Sequence, residues 1–188
     1  MSFTNILWRG DKYMPKVSAK ENKNVYFKKR EELKLTREKA SELLETIPPE
    51  RIEKIENERA LPHPDEILIM AEKYKSPELC NYFCANQCPI GQEYVPEIKI
   101  QDLSLIVLKM LASLNSVQDN QKRFIQITAD GIISDEEIED FIDIQDELEK
   151  ITITIQTLQL WTEQMKAEGV IDEKKYQIIK DRKKGKTS

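Results

Sequence analysis

From residue 24 onward, apolar positions recur three and four apart in short blocks separated by polar or Pro-containing breaks, which predicts one helix after another. Asn24 can cap a first helix in which Val25, Tyr26, Lys29 and Leu33 fall along one side. Thr36 opens a second, its hydroxyl placed to accept the backbone N–H near Lys39, with Ala40, Leu43 and Leu44 facing inward and Ser41 small enough for a close crossing. The turn Glu45-Thr46-Ile47-Pro48 follows, with Ile47 directed into the core. Pro49 then starts a third helix, where its missing N–H costs nothing. That helix, reaching about Asn57, points Ile52 and Ile55 in and Glu50, Arg51, Glu53 and Lys54 out. Further on, SPELCNYFCANQC predicts another helix, with Ser76 as cap and Pro77 at its first position.

The second half has a different rhythm. Residues 91–101, interrupted by Pro96, read as a connector. Leu103, Ile106, Val107, Met110, Leu111 and Leu114 then make one broad stripe, which Phe124, Ile125 and Thr128 continue after a polar bend at 116–120. The segment DGIISDEEIEDF has the outline of half a calcium loop. With Gly131 at the turn position, however, Gln126 and Thr128 stand where carboxylates are needed, so calcium is rejected. A helix stop at Gly131 and a capping box of Ser134 with Glu137 account for it better. A long helix is expected from Asp135 to about Ala167, with a heptad seam of Phe141, Ile144, Leu148, Ile151, Ile155, Leu158, Thr162 and Met165. Ile138, Ile142, Leu160 and Trp161 widen its apolar surface. At roughly 50 Å, this helix exceeds what a small domain buries. It can fold back on the 103–128 helices, and a second copy can cover the other face. A homodimer through 102–168 and a self-contained bundle both fit. Gly169 ends the helix, and a short one to Lys180 precedes a basic tail, 181–188.

The expected fold is therefore all-α. It comprises a basic arm over 1–23 and an N-terminal five-helix helix-turn-helix domain over 24–90 whose last helix carries cysteines. The 91–101 connector leads to a C-terminal helical hairpin or bundle over 102–180, followed by the tail. Composition agrees: of 188 residues 34% are charged, 7% are aromatic and only 5 are Gly, as in helix-rich proteins. No apolar run approaches the roughly 20 residues of a membrane span. The opening MSFTNILWRGDKY lacks the apolar core of a secretory signal, which makes the cytoplasm the expected location and reduced thiols the expected state; Met14 is an alternative start. The net charge of −5 hides an asymmetry. Residues 1–39 carry 11 Lys and Arg against 5 Asp and Glu, whereas residues 76–188 carry 13 against 20. The basic end lies beside the second and third helices, the sign that phosphate contact requires. Arg9, Lys12, Lys16, Lys20 and Lys23 give the arm the charge to lie along a groove.

LTREKASELLETIPPERIEKIEN, Leu35 to Asn57, resembles the phage-repressor-like helix-turn-helix family, also called Xre or Cro/C1-type, in which an Ile-Glu-Asn element like Ile55-Glu56-Asn57 closes the third helix. The likeness spans about Asn24 to Leu79, and within it LPHPDEILIMAEKY resembles the fourth helix of that fold, with Ile67, Leu68, Met70 and Ala71 on its packed side. It implies a sequence-specific, double-stranded-DNA-binding transcriptional regulator with the third helix in the major groove. It assigns Thr36 and Arg37 to phosphate, Glu50, Arg51 and Lys54 to base edges, and Arg59 to the DNA backbone. The chain departs from the pattern with Glu45 where the family favours Gly and Glu58 where Gly is common. Glu50 and Glu53 also set two carboxylates on the groove face. The alternative is a fold of this kind used to bind another protein.

Cys80, Cys84 and Cys88, in C-x3-C-x3-C spacing, invite a zinc or thiol-sensing role. On one continuous helix, Cys80 and Cys88 would stand about 12 Å apart along the axis, too far for one zinc ion. Two neighbours binding with ligands from elsewhere, a helix break before Cys88, or three buried small hydrophobes all remain open. His63, the only histidine, is a possible fourth ligand. No glycine-rich phosphate loop or paired acid and base points to an enzyme.

Overall fold

The computed structural model describes residues 24–127, 129 and 131–185. The expected arm (1–23), Thr128, Asp130 and the last three residues of the tail lie outside the described residues. Among the described residues there are ten helices and no strand: α1 Val25–Glu32, α2 Arg37–Leu44, α3 Pro49–Glu56, α4 Pro64–Lys73, α5 Glu78–Asn86, α6 Pro89–Tyr94, α7 Leu103–Asp119, α8 Gln121–Ile127, α9 Ile138–Ala167 and α10 Glu173–Lys184. The fold is all-α.

Helices α1 to α5 enclose one core of Tyr26, Ala40, Leu44, Ile47, Ile52, Ile55, Ile67, Met70, Ala71, Tyr74 and Leu79. The starts of α1, α2 and α3 are those expected. Asn24 Oδ1 accepts the Phe27 N–H at 3.0 Å, Thr36 Oγ1 accepts the Lys39 N–H at 3.3 Å, and Pro49 occupies the first turn of α3. Other expectations need correction. Ser76 does not cap α5: it is buried and donates its hydroxyl back to the Tyr74 carbonyl, 3.2 Å away. Leu33, Leu43 and Leu68, expected on packed faces, are exposed, because the first five helices are short and close on one small core. The connector is helical over its first residues, since Pro89 starts α6 and 91–94 belong to it.

Three of the first four helices end in the same way. Beyond α1, α3 and α4 the chain turns left-handed at Lys34, Glu58 and Lys75, with φ of 56°, 57° and 53°. The next N–H in each case reaches back five residues: Leu35 to the Arg30 carbonyl, Arg59 to Lys54 and Ser76 to Ala71, at 3.2, 2.8 and 2.8 Å. This is the Schellman closure, whose left-handed position favours glycine. α9 does use glycine there, Gly169 at φ 77°. A side chain at such a position costs about 1–2 kcal/mol, partly offset by the greater unfolded-state freedom of glycine. Glu58→Gly is therefore expected to raise stability by roughly 0.5–1 kcal/mol, read as a higher urea midpoint at unchanged slope.

The C-terminal half is a long antiparallel pair. Ser116 near the end of α7 lies with Glu147 near the start of α9 around one cavity, and 97–100, just before α7, lie beside Met165 near the end of α9. α8 caps the open end, tied to α9 by the Arg123–Asp140 ion pair. The Ser134–Glu137 box forms, with Glu137 Oε2 accepting the Ser134 N–H at 3.1 Å and its hydroxyl at 2.8 Å. Residues 135–137 are only a turn, however, so α9 starts at Ile138 rather than Asp135. α10 also runs past Lys180 to Lys184. Its last turn carries Arg182, Lys183 and Lys184 where the carbonyl end of the helix dipole favours cations, so the first residues of the expected tail are helix.

The expected seam of α9 rotates. Ile144 is buried, but so are Thr154 and Thr157, while Leu148 and Ile155 are 51% and 46% exposed. The threonines tolerate burial because each hydroxyl donates to a carbonyl one turn back, Thr154 to Lys150 at 2.8 Å and Thr157 to Ile153 at 2.7 Å. Of the broad stripe expected on α7, only Ile106 is buried.

Candidate nucleic-acid interface

α3 is fixed by its back and its C-terminal end. Ile52 and Ile55 are each 1% exposed. Asn24 at the head of α1 donates Nδ2–H to the Ile55 carbonyl at 2.6 Å. Below them lies an ionic knot that hydrophobic patterning does not reveal. The Glu56 side chain is 1% exposed and accepts from Arg30 Nε at 2.5 Å, Arg30 Nη2 at 3.0 Å and Arg37 Nε at 2.9 Å. Arg30 also donates to the Leu35 carbonyl at 2.6 Å. Hydrogen bonding to Glu56 raises the Arg30 pKa above its ordinary value against the opposing effect of burial. One carboxylate thus joins the end of α1, the start of α2 and the end of α3, which sets the angle at which α3 presents its front.

That front faces solvent. Glu50, Lys54 and Asn57 are exposed, and Glu53 is half-buried, accepting from Asn57 Nδ2 at 3.3 Å. Arg59, 68% exposed, approaches Glu53 at 3.6 Å. Thr36 is exposed at the head of α2, where Glu38 places a carboxylate in the first turn. The backbone N–H of Glu38 and then the Thr36 hydroxyl lower its pKa.

Two of the expected DNA-contacting residues are engaged elsewhere. Arg37 holds Glu56 through Nε, with about a third of its side chain open (32%). Arg51 turns toward α4: its Nε and Nη2 donate to the two Glu66 oxygens, both at 2.7 Å, and Nη2 also reaches the Leu61 carbonyl at 2.9 Å. Burial pushes the Glu66 carboxyl up, but the Arg51 hydrogen bonds and the His63 N–H outweigh it and leave the group below its ordinary value. Arg51 therefore ties α3 to α4, and Lys54 is the basic side chain of α3 that has no such tie among the described residues. Glu45, at φ 62°, meets Lys73 at 3.0 Å and fastens the α2 end to α4. Asn57, known from the sequence only as part of the Ile-Glu-Asn element, is exposed on the front of α3.

The cysteines are separated by a helix end. Cys80 and Cys84 lie on α5, which stops at Asn86, and Cys88 is the cap before α6. All three are partly buried. Burial and then the neighbouring Cys84 raise the Cys80 thiol pKa, which disfavours its thiolate. His63 is exposed at the start of α4. Among the described residues no group of three or more His, Cys, Asp or Glu is arranged to hold a metal ion.

No family model, curated protein or solved structure matches this chain.

Proposed function

We propose that residues 24–90 form a helix-turn-helix DNA reader of a transcriptional regulator, with α3 entering the major groove of double-stranded DNA. The observation that carries this reading is the contrast between the two faces of α3. Its back is locked by Ile52, Ile55 and the Glu56 knot, while its front, from Glu50 through Lys54 to Asn57, is left to solvent. A short helix held rigidly and presented outward is what reading base edges requires. In this reading Lys54 and Asn57 face base edges. Glu50 accepts from cytosine N4 and disfavours bases that present an acceptor in its place. Thr36, the open part of Arg37, and Arg59 contact the DNA backbone.

The test is selection of bound fragments from random DNA, followed by affinity measured against salt. Lys54→Ala is expected to weaken the selected site by about 1–3 kcal/mol while leaving nonspecific DNA less affected. Arg59→Ala should weaken all sequences alike and reduce the salt slope by about 1. Failure to enrich any sequence would remove the DNA reading. A second reading, recognition of a basic protein surface, is favoured by one observation: Glu50, Glu53 and Glu58 crowd the front while Arg51 is turned away to Glu66.

A further inference from the structure

Along α7 the residues turned toward α9 are Ile106, Met110, Ser113 and Val117, all buried or partly buried. One residue on from the first three stand Val107, Leu111 and Leu114, with Leu103 a turn before them, and these are 37%, 49%, 49% and 40% exposed. On α9, Glu147 and Thr154 belong to the inner seam, and one residue on from them stand Leu148 and Ile155, 51% and 46% exposed. A step of one residue rotates about 100° around a helix. In an antiparallel pair the same forward step on both helices leads to the same side of the pair. The six aliphatic side chains therefore form one two-helix face. No charge interrupts it: α7 carries only Lys109 and Asp119, both off this line, and the line on α9 through Phe141, Leu148, Ile155 and Thr162 has none. In a chain that is 34% charged, this is the composition of an interface centre.

We infer that this face is the dimer interface of the protein, covered by a second copy of the same hairpin in antiparallel orientation to give a four-helix bundle. Two observations select that occupant. The first is area. Half of an aliphatic residue is on the order of 80–90 Å², so the six side chains present about 500 Å² of apolar surface. Gln145 and Gln159 extend the face toward the roughly 800 Å² per partner of a stable interface, and residues 92–96 of the same chain border it beside Thr152. The second is charge. The start of α9, residues 138–149, holds six acidic and no basic residues, whereas α10, which packs at the far end of α9 through Lys166 and Tyr176, holds six basic and two acidic. A twofold axis across the middle of the hairpin brings the acidic end of each copy to the basic end of the other, while a parallel pairing would set like charges together.

The inference does not depend on the DNA reading, and either can fail alone. Light scattering on the full chain is expected to give twice its 22.0 kDa at micromolar concentration. Leu111→Glu and Leu148→Glu, both at positions already half open in one copy, are each expected to raise the dimer dissociation constant about a hundredfold or more at unchanged helicity. Leu68→Glu, at a 63% exposed position on α4, should leave the dimer intact. A monomeric wild-type chain at tens of micromolar, or a dimer that persists in both hairpin variants, would overturn the proposal.

Discussion

Glu56→Ala is expected to destabilise the α1–α5 unit by about 3–5 kcal/mol, most of what a unit this small possesses. The size follows from what remains. Removing the carboxylate leaves the Arg30 guanidinium, 9% exposed, against the Leu35 carbonyl and the face of the Phe27 ring, without the carboxylate that took two of its N–H groups. It also frees the head of α2, which Arg37 otherwise ties to the end of α3. Glu56→Gln preserves an acceptor and the volume, so its loss should be smaller. Arg37→Ala should cost on the order of 1 kcal/mol, because that partner is about a third exposed to solvent and its contribution is screened. Hydrogen exchange of α1–α3 peptides across a urea series reads the effect locally, without requiring the whole chain to unfold in one step. A loss under about 1 kcal/mol for Glu56→Ala would mean that the knot is peripheral. Because the same residue sets the presentation of α3, the DNA affinity proposed for this helix should fall with it under conditions where the variant is still folded.

Much of the N-terminal unit is legible in the sequence because it is written in short-range signals. Asn24, Thr36 and Pro49 each mark a helix start by a local hydrogen bond or a fixed φ. Ile47, Ile52 and Ile55 mark the inside by spacing. Glu56 escapes because a glutamate in the last turn of a helix ordinarily reads as solvent-facing. Its burial depends on two arginines 26 and 19 residues away, a long-range condition that no periodicity encodes. Arg51 escapes for the same reason: its partner Glu66 lies on another helix, so the side chain placed on the outward face by helical phase is drawn to α4. In the second half the length and apolar character of α7 and α9 were plain, but the choice of buried line was not. Leu148 and Thr154 both sit at heptad-compatible positions, and the helix can bury the threonine since its hydroxyl is satisfied within its own backbone. The surplus of apolar lines over inner surfaces is itself information, since it leaves Leu111 and Leu148 outside.

Gly91→Ala is expected to cost about 2–4 kcal/mol and to detach α6 from α5, although it adds a single methyl group. A Cβ at position 91 would stand 2.0 Å from the Cys84 carbonyl oxygen, 2.7 Å from its carbon and 3.0 Å from its Cα. All three are backbone atoms of a helix, so no side chain can swing away, and ordinary contact requires α6 to withdraw by more than an ångström. This is a requirement for close approach and not for an unusual dihedral. Gly131 and Gly169 behave oppositely: both have positive φ, with nothing within 4 Å of an added Cβ. Alanine at those two sites should cost only about 1 kcal/mol of backbone strain. The readout lies beside the glycine. Cys84 and Cys88 flank the α5–α6 contact and are partly buried, so Gly91→Ala should accelerate their alkylation by a maleimide several-fold, while Gly131→Ala leaves the rate unchanged. Equal alkylation rates in the two variants, with a stability change below about 0.5 kcal/mol for Gly91→Ala, would show that α6 does not pack on the Cys84 backbone.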